Sequence, residues 1–395
     1  MIGAAMLPPS LSHLDAPSAA AQAVSEALGA EIRSTMESAG GWLSFARFME
    51  LALYAPGLGY YSAGSTKFGA SGDFITAPEL SPLFARCLAR QVGQLIADGV
   101  PDVVELGAGS GALAAGILPA LAALDRLPER YLILEVSADL RERQRERLAM
   151  CAPELLERVR WLDVLPAGLE GIVIANEVLD AIPTHVVRTR AGELDELGVT
   201  VGQDGRSFHR SFRPASGELL RVARALGLPE DDYETEINLA APALVKTLGR
   251  MLGRGVLLLV DYGFPAREYY HPQRTRGTLM CHYRHHGHSD PFALVGLQDI
   301  TAHVDFTAIA AAAVDAGLRV LGYATQAHFL VNLGITDLLS ETPSHDARAY
   351  GPIAAAAQRL LSPSDMGELF KVLALGRRVS QPLVGFARGD RTHTL

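Results

Sequence analysis

The chain of 395 residues is predicted to be an α/β protein built on a parallel, doubly wound sheet. Three observations carry that expectation. Short buried strands alternate with helices from residue 101 onward. One of those strands runs into a glycine-rich turn, "VVELGAGSGALA" (Val103–Ala114), that opens a helix. A later apolar run, "VLLLVDYG" (Val256–Gly263), ends in an acid as the alternation resumes. Hydrophobic residues make up 49% of the chain and charged residues 20%, which suits a large core and not a disordered polymer.

The elements follow in order. Residues 1–20, rich in Ala, Pro and Ser, read as a loose arm. Residues 21–100 form a helical N-terminal extension. In it "AQAVSEALGAEIRSTMESAGG" has helical periodicity and stops at Gly40-Gly41, while "WLSFARFMELALY" reads as a second helix with Ser44 as N-cap. The stretch "APGLGYYSAGSTKFGASGDFITAPELSPLF" is too rich in Gly and Pro for regular structure, the profile of a functional loop. Its Tyr60, Tyr61, Phe68 and Phe74 either wall a ligand or anchor the loop. A helix over about 81–97 leads into the first part of the sheet domain, 101–183. That part holds strand Asp102–Leu106, a helix from Gly111, strand Tyr131–Glu135, a helix from Ala138, and strands near Arg160 and over Gly171–Ala175.

In 184–240 the short alternating runs "HVVRTR", "ELGVTV" and "SFHRSFR" predict antiparallel hairpins inserted on the substrate side. Parallel winding resumes over 241–395. It gives a helix in "PALVKTLGRMLGRG", the strand "VLLLVDYG", a polar His-rich loop (264–297), and helix then strand in "FTAIAAAAVDAGLRVLGYATQ". Helices and a last strand, over Lys371–Leu375 or Leu383–Ala387, close the chain.

Charge and composition narrow the function. A net charge of −9 without a Lys/Arg run speaks against nucleic-acid binding. No apolar stretch reaches the roughly 20 residues of a bilayer span. The first basic residue is Arg33, so neither a signal n-region nor an Arg-rich presequence is visible, and a cytoplasmic location is expected. Cys87, Cys151 and Cys281 are odd in number and far apart, unlike a disulfide framework or zinc knuckle. His282, His285, His286 and His288 in "CHYRHHGHSDP" have no cysteine or carboxylate at a ligand spacing, and no metal is expected.

The turn carries Gly107, Ala108, Gly109 and Gly111 between strand and helix, where backbone N–H groups converge. Gly107, Gly109 and Ala112 also fit the dinucleotide pattern G-x-G-x-x-G/A, which keeps an NAD(P)-dependent oxidoreductase open. Two acids weigh against it. Glu105 lies on a strand that should be buried on both faces, where it needs a positive partner and would repel a pyrophosphate. Glu135 ends the next strand, where an acid can accept both ribose hydroxyls. An ion pair or helix cap is the ordinary alternative for each.

"GYYS", "GDFITAPELSPLF", "VELGAGSGALA", "LEVSADLRERQ", "ANEVLDAIPTHVV", "EIN", "LLLVDYG" and "LQDITAHVDF" occur in the order and context of the MidA-like family of S-adenosylmethionine-dependent methyltransferases, which the chain resembles over Ala39–Ala387. The resemblance implies a seven-stranded class I methyltransferase (Rossmann-like) sheet, a helical N-terminal extension and an inserted substrate-side region. It implies S-adenosylmethionine as cofactor, held by Glu105–Gly111, by Glu135 with Val136 beside it, and by a lid-like "GDFITAPE" (Gly72–Glu79) that includes Gly72, Asp73, Phe74 and Thr76. Ala77 stands there in place of an expected Ser. Mitochondrial members are regarded as protein arginine methyltransferases that assist assembly of respiratory complex I. A protein substrate with an accessible arginine, resembling a complex I subunit, is thereby implied, and the rival reading is an assembly module that keeps the cofactor pocket without turnover. A homodimer is left open.

Methyl transfer needs alignment, water exclusion and polar groups matched to the acceptor. "ANEVLDAIP" stands at a strand end, the usual place for a site on an open α/β sheet. Asn176 can donate and accept near the reacting methyl. Glu177 and Asp180 can face a cation together if the segment turns helically, since they are three residues apart; a solvated turn or helix cap is the alternative. Glu236 and Asp261 are further substrate-side candidates.

Overall fold

A computed structural model of the chain describes residues 15–63 and 76–395. Seven strands form the main sheet: β1 (Asp102–Leu106), β2 (Arg130–Leu134), β3 (Val159–Leu162), β4 (Leu169–Asn176), β5 (Leu252–Phe264), β6 (Arg319–Thr325) and β7 (Phe370–Arg377). Their spatial order is β6-β7-β5-β4-β1-β2-β3, and β7 alone runs antiparallel to its neighbours. Off this path of seven, the two-residue Val304–Asp305 pairs with the end of β5 at Gly263 and Phe264, so the whole sheet has eight strands rather than the expected seven. So short a strand leaves no period in the sequence. Of the two candidates for the last strand, the first forms; Val384–Phe386 is a 3-10 turn.

Both faces of the sheet are covered, and side chains alternate between them. Ile172, Ile174, Val256 and Leu258 pack beneath helices Pro82–Ala97 and Ala112–Ala123. Val173, Ala175, Leu257 and Leu259 pack against helices Ala240–Met251 and Phe306–Asp315. Ser81 caps its helix by accepting from the Leu83 N–H at 3.2 Å, with Pro82 at the first helical position.

The N-terminal extension begins at helix Ala19–Ser38, inside the expected arm, where Ser18 accepts from the Ala21 N–H. Ser44 caps the second helix, Phe45–Tyr54, but Leu43–Ser44 is itself a strand paired with the insertion. The insertion's strands are His185–Arg190, Glu193–Val201, Phe208–Pro214 and Tyr233–Ile237. It also holds a helix, Gly217–Leu226, where hairpins are expected from the alternation. The His-rich segment is not a plain loop: Met280–Tyr283, His286–His288 and Asp299–Thr301 form a three-stranded sheet. Extension, insertion and this small sheet share one core around Leu28, Phe48, Val199, Cys281 and Ile300. Among the described residues no helix is long and apolar enough to cross a membrane.

Candidate active site

The chain leaves β1 toward β2 and β3 on one side, while β4 and β5 lie on the other. At such a reversal of strand order the carboxyl ends of the neighbouring strands open a crevice. A cavity of about 570 Å³ lies there, within the usual size of a small-molecule site.

The glycine turn forms its floor. Gly107, Gly109 and Gly111 have φ of 60°, 54° and 79°, a region that favours glycine. A Cβ on Gly107 would come 3.2 Å from Val178 Cγ2, and one on Gly111 the same distance from Gln144 Cα. Gly111 is the N-cap of helix Ala112–Ala123 without a side-chain cap, so the first N–H groups of that helix are left for a ligand. Ala108 lines the same floor.

Gln144 holds this turn to the next strand. Its Nε2 donates to the Gly109 carbonyl at 2.8 Å and to Glu135 Oε2 at 3.2 Å, while its Oε1 accepts from Trp161 Nε1 at 2.8 Å. Sequence reasoning missed it. The signal present was its spacing of four from Leu140 and Leu148, the other buried residues of an otherwise charged helix.

Glu135 lines the cavity, and its Oε1 accepts from the Ser137 N–H at 3.0 Å. Burial raises its pKa, opposed by those hydrogen bonds. Val136 is 76% exposed at the rim. Glu105, 3% exposed, takes its hydrogen bond from the Tyr131 hydroxyl at 2.6 Å, not from a cation. Burial lifts its carboxyl to about 7, with the charge of Glu135 adding to the rise and the Tyr131 bond opposing it.

At the end of β4 the cavity changes character. Asn176, Glu177 and Asp180 all line it. Glu177 has a φ of 53°, a strained value for a residue with a side chain. Its Oε1 accepts from Asn176 Nδ2 at 3.1 Å and from the Ala77 N–H at 3.3 Å. The backbone of Ala77 makes that contact, so the missing serine hydroxyl does not bear on it. Thr76 lines the cavity from the preceding position. Asp180 Oδ2 accepts from the Tyr262 hydroxyl. Asn176 Oδ1 and Asp180 Oδ1 are buried without a hydrogen-bond partner, a costly state that a donor in the cavity would relieve.

Burial, then the charge of Asp180, pushes Glu177 up to about 8, and burial lifts Asp180 to about 6. The turn joining them is not helical. Asp261 shapes it: its Oδ2 accepts from the N–H groups of Val178, Leu179 and Asp180 at 3.2, 2.9 and 3.3 Å. Asp261 is therefore spent on backbone and does not line the cavity. Glu236 is also elsewhere. Its carboxylate accepts from the N–H groups of Thr278 and Leu279 and from the Tyr269 hydroxyl, bracing the insertion. Gly72, Asp73, Phe74 and Phe68 lie outside the described residues. Tyr61 lines the cavity, while Tyr60 is packed in the core nearby.

Among the described residues the lining includes Glu105, Glu135, Glu177 and Asp180 but neither Lys nor Arg. Such a lining offers no cation to a pyrophosphate, while an ammonium and a sulfonium would stabilise the ionised form of its buried acids, which suits an adenosyl group carrying both. No three His, Cys, Asp or Glu among the described residues gather as metal ligands; His282 lines the cavity and His285 and His286 are exposed.

Comparison with known proteins agrees with this geometry. Residues 83–324 match the family described as "putative S-adenosyl-L-methionine-dependent methyltransferase". A Burkholderia thailandensis protein crystallised with S-adenosyl-homocysteine bound is 52% identical, with a TM-score of 0.93 over 97% of this chain and 100% of that one. Two curated relatives are named protein arginine methyltransferase NDUFAF7, mitochondrial. The Caenorhabditis elegans homolog is 28% identical over 85% of this chain and 83% of its own length. The Danio rerio protein is 28% identical with the same coverage. Their mitochondrial names overturn the cytoplasmic location expected from the N-terminus; that expectation rested on a missing pattern, and a missing pattern sets no compartment. With its glycine turn, acid-lined cavity and sheet matched across residues 83–324, the chain belongs to this family of S-adenosyl-L-methionine-dependent methyltransferases.

Proposed function

We propose that this methyltransferase acts on an arginine side chain of a partner protein, with Glu177, Asp180 and Asn176 receiving the guanidinium. The glycine turn, Glu105, Glu135, Val136 and Thr76 then hold S-adenosylmethionine. One observation carries the reading. Two neighbouring carboxylates and two unpartnered buried oxygens face a cavity that no Lys or Arg among the described residues neutralises. The names of the mitochondrial relatives support the same acceptor.

Bound S-adenosylmethionine supplies an electrophilic methyl on a sulfonium. A guanidinium stays charged below about pH 12 and presents five N–H donors in a planar fork, which two carboxylates and an amide oxygen can accept together. Without a cation, burial keeps a proton on Glu177. An arriving guanidinium stabilises the ionised form instead. A guanidinium nitrogen sheds a proton on gaining a methyl, and the Glu177 carboxylate is placed to accept it. Asn176 Nδ2 steadies the same Oε1. A lysine would have to lose its proton before attack, against the field of these acids.

The test is to incubate the protein with labelled S-adenosylmethionine and lysate of a strain lacking it, then to identify the modified residue by mass spectrometry. Methylarginine is expected; label confined to lysine, nucleic acid or small molecules would overturn the acceptor.

Two simpler results are expected at the cofactor end. S-adenosylmethionine or S-adenosyl-homocysteine at 100 times its Kd should stabilise the fold by about 2.7 kcal/mol, read as a rise in melting temperature, and NAD should not. A shift with NAD alone would mean that the turn binds a dinucleotide. Glu135→Ala should weaken S-adenosyl-homocysteine binding by roughly 1 to 3 kcal/mol, the cost of leaving buried polar partners unmatched. Calorimetry showing parental affinity would take Glu135 out of the ribose contact.

A further inference from the structure

Two consecutive residues at the end of β5 organise the turn that carries the acceptor acids. Asp261 holds its backbone, and Tyr262 holds the side chain of Asp180, whose Oδ2 accepts from the Tyr262 hydroxyl. The Tyr262 ring lines the cavity. It packs edge-to-face against Phe370, with centroids 5.3 Å apart and planes at 70°, and against His303, 5.1 Å apart at 77°. His303 is stacked in turn on Phe264, 5.3 Å apart at 11°. The Thr301 side chain is hydrogen-bonded to the Tyr262 hydroxyl, and the Ala302 N–H donates to the Asp180 carbonyl at 3.0 Å. Segment 301–303 thus braces both members of the Tyr262–Asp180 pair.

A buried carboxylate stays ionised only with a partner. A lysine or arginine in the place of Tyr262 would supply one, but it would also repel a cationic acceptor. A hydroxyl donor stabilises the same charge and brings none of its own. It must keep its proton to do so. Burial, then the charges of Asp180 and Asp261, push the Tyr262 pKa well above its usual value, so the group remains a donor wherever the acids titrate. Glu177 is held instead by the Asn176 amide and the Ala77 N–H. The two acids differ accordingly. Burial is the main cause of the rise in each, to about 8 in Glu177 and about 6 in Asp180, and in Asp180 the Tyr262 bond is the first effect that opposes it.

Resting on the arginine reading, we propose that Tyr262 is a positioning residue of the acceptor site, whose hydroxyl fixes Asp180 and keeps that carboxylate ionised before the guanidinium arrives while adding no positive charge of its own. Other titratable groups surround the pair. Glu177 shares the turn, Asp261 lies on β5, Tyr54 and Tyr61 come from the extension, and Asp299, His282 and His303 line the same cavity, with Arg274 and Lys371 behind His303. Whatever charge these groups carry is common to the parent and a Tyr262 variant, so the difference between the two proteins isolates the hydroxyl.

The probe is N-acetyl-arginine amide, titrated by calorimetry between about pH 5 and 8.5 into the full chain saturated with S-adenosyl-homocysteine. Arginine stays charged throughout, so affinity lost on acidification reports the acids of the site. In Tyr262→Phe, which keeps the ring, Asp180 loses its donor and holds its proton to higher pH. The acid limb should move up by at least ~0.5 pH unit, about threefold in affinity on its slope, and meet the parent to within about twofold at the alkaline end. S-adenosyl-homocysteine affinity should stay within about twofold of the parent. On an Asp180→Asn background the same substitution should leave the limb in place. If Tyr262→Phe does not fold, Thr301→Val, which removes the hydrogen bond behind Tyr262, should move the limb the same way by a smaller amount. A limb that stays at the parental pH, affinity lowered evenly at every pH, or an equal shift with Asn at position 180 would overturn this inference alone, provided that the parent prefers the arginine probe to its uncharged isostere N-acetyl-citrulline amide. A parent without that preference would overturn the arginine reading with it.

Discussion

Glu177→Gln or Asp180→Asn should lower methylation of an arginine protein at least ~100-fold while leaving S-adenosyl-homocysteine affinity within about threefold of the parent. Both substitutions nearly conserve shape. In Glu177→Gln the side-chain oxygen can still accept from Asn176 Nδ2 and the Ala77 N–H, and in Asp180→Asn it can still accept from the Tyr262 hydroxyl. What disappears is the negative charge. The cofactor is not expected to depend on it, because the glycine turn, Gln144 and Glu135, proposed to hold it, form a hydrogen-bonded unit of their own on β1, β2 and the helices that follow them. The acceptor does depend on it, since a guanidinium at this site would otherwise lie buried beside neutral amides. The measurements are initial rates on the identified protein substrate and calorimetry with S-adenosyl-homocysteine. If both variants methylate normally, the acids are structural and the acceptor lies elsewhere. A scaffold that binds the cofactor without turnover would keep its partner-assembly activity in both.

Half of this cavity wall was legible in the sequence because its parts are local. β4 and β5 are buried on both faces and show apolar centres, Ile172–Ala175 and Val256–Val260, β1 is equally buried but carries Asp102 and Glu105, and the glycines after β1 follow from the backbone conformation that they adopt. Glu135 could be placed by its position at the end of the next strand. Asn176, Glu177 and Asp180 came from the same rule, although the turn that gathers them is organised by Asp261 and not by a helix. That distinction could not be read. Asp180 and Asp261 are both acids near strand ends, and only the tertiary fold decides that one meets a backbone turn while the other meets the cavity.

The rest of the wall is non-local. Tyr54 and Tyr61 come from the N-terminal extension, and Asp299 comes from a strand about 240 residues later. No period in either segment points to the other. The small sheet went unseen for a related reason: its strands are three or four residues long, too short for alternation to stand out among histidines. Gln144 was hidden differently, inside a run of charges, where only its register with two leucines marks it as buried.

Gly109→Val should bring S-adenosyl-homocysteine binding below detection, a loss of at least ~100-fold, in a protein that still folds. Two effects act together. A φ of 54° lies in the left-handed region, where a side chain costs roughly 1 to 2 kcal/mol and a β-branched one more. The turn would escape that strain by rotating, and rotation would pull the Gly109 carbonyl away from Gln144 Nε2. Gln144 is also the donor to Glu135 Oε2, so the disturbance reaches Glu135 as well as the floor of the cavity. The strand beneath should survive, since Val103 and Val104 stay packed on opposite faces of the sheet. Gly109→Ala separates the two effects: it has no β-branch and should retain measurable binding, weakened about tenfold by the backbone strain alone. Calorimetry gives the affinities, and circular dichroism with a melting curve shows that the fold persists. A folded Gly109→Val protein that binds S-adenosyl-homocysteine as the parent does would mean that the turn does not approach the ligand closely, and the cofactor would have to be placed elsewhere in the cavity.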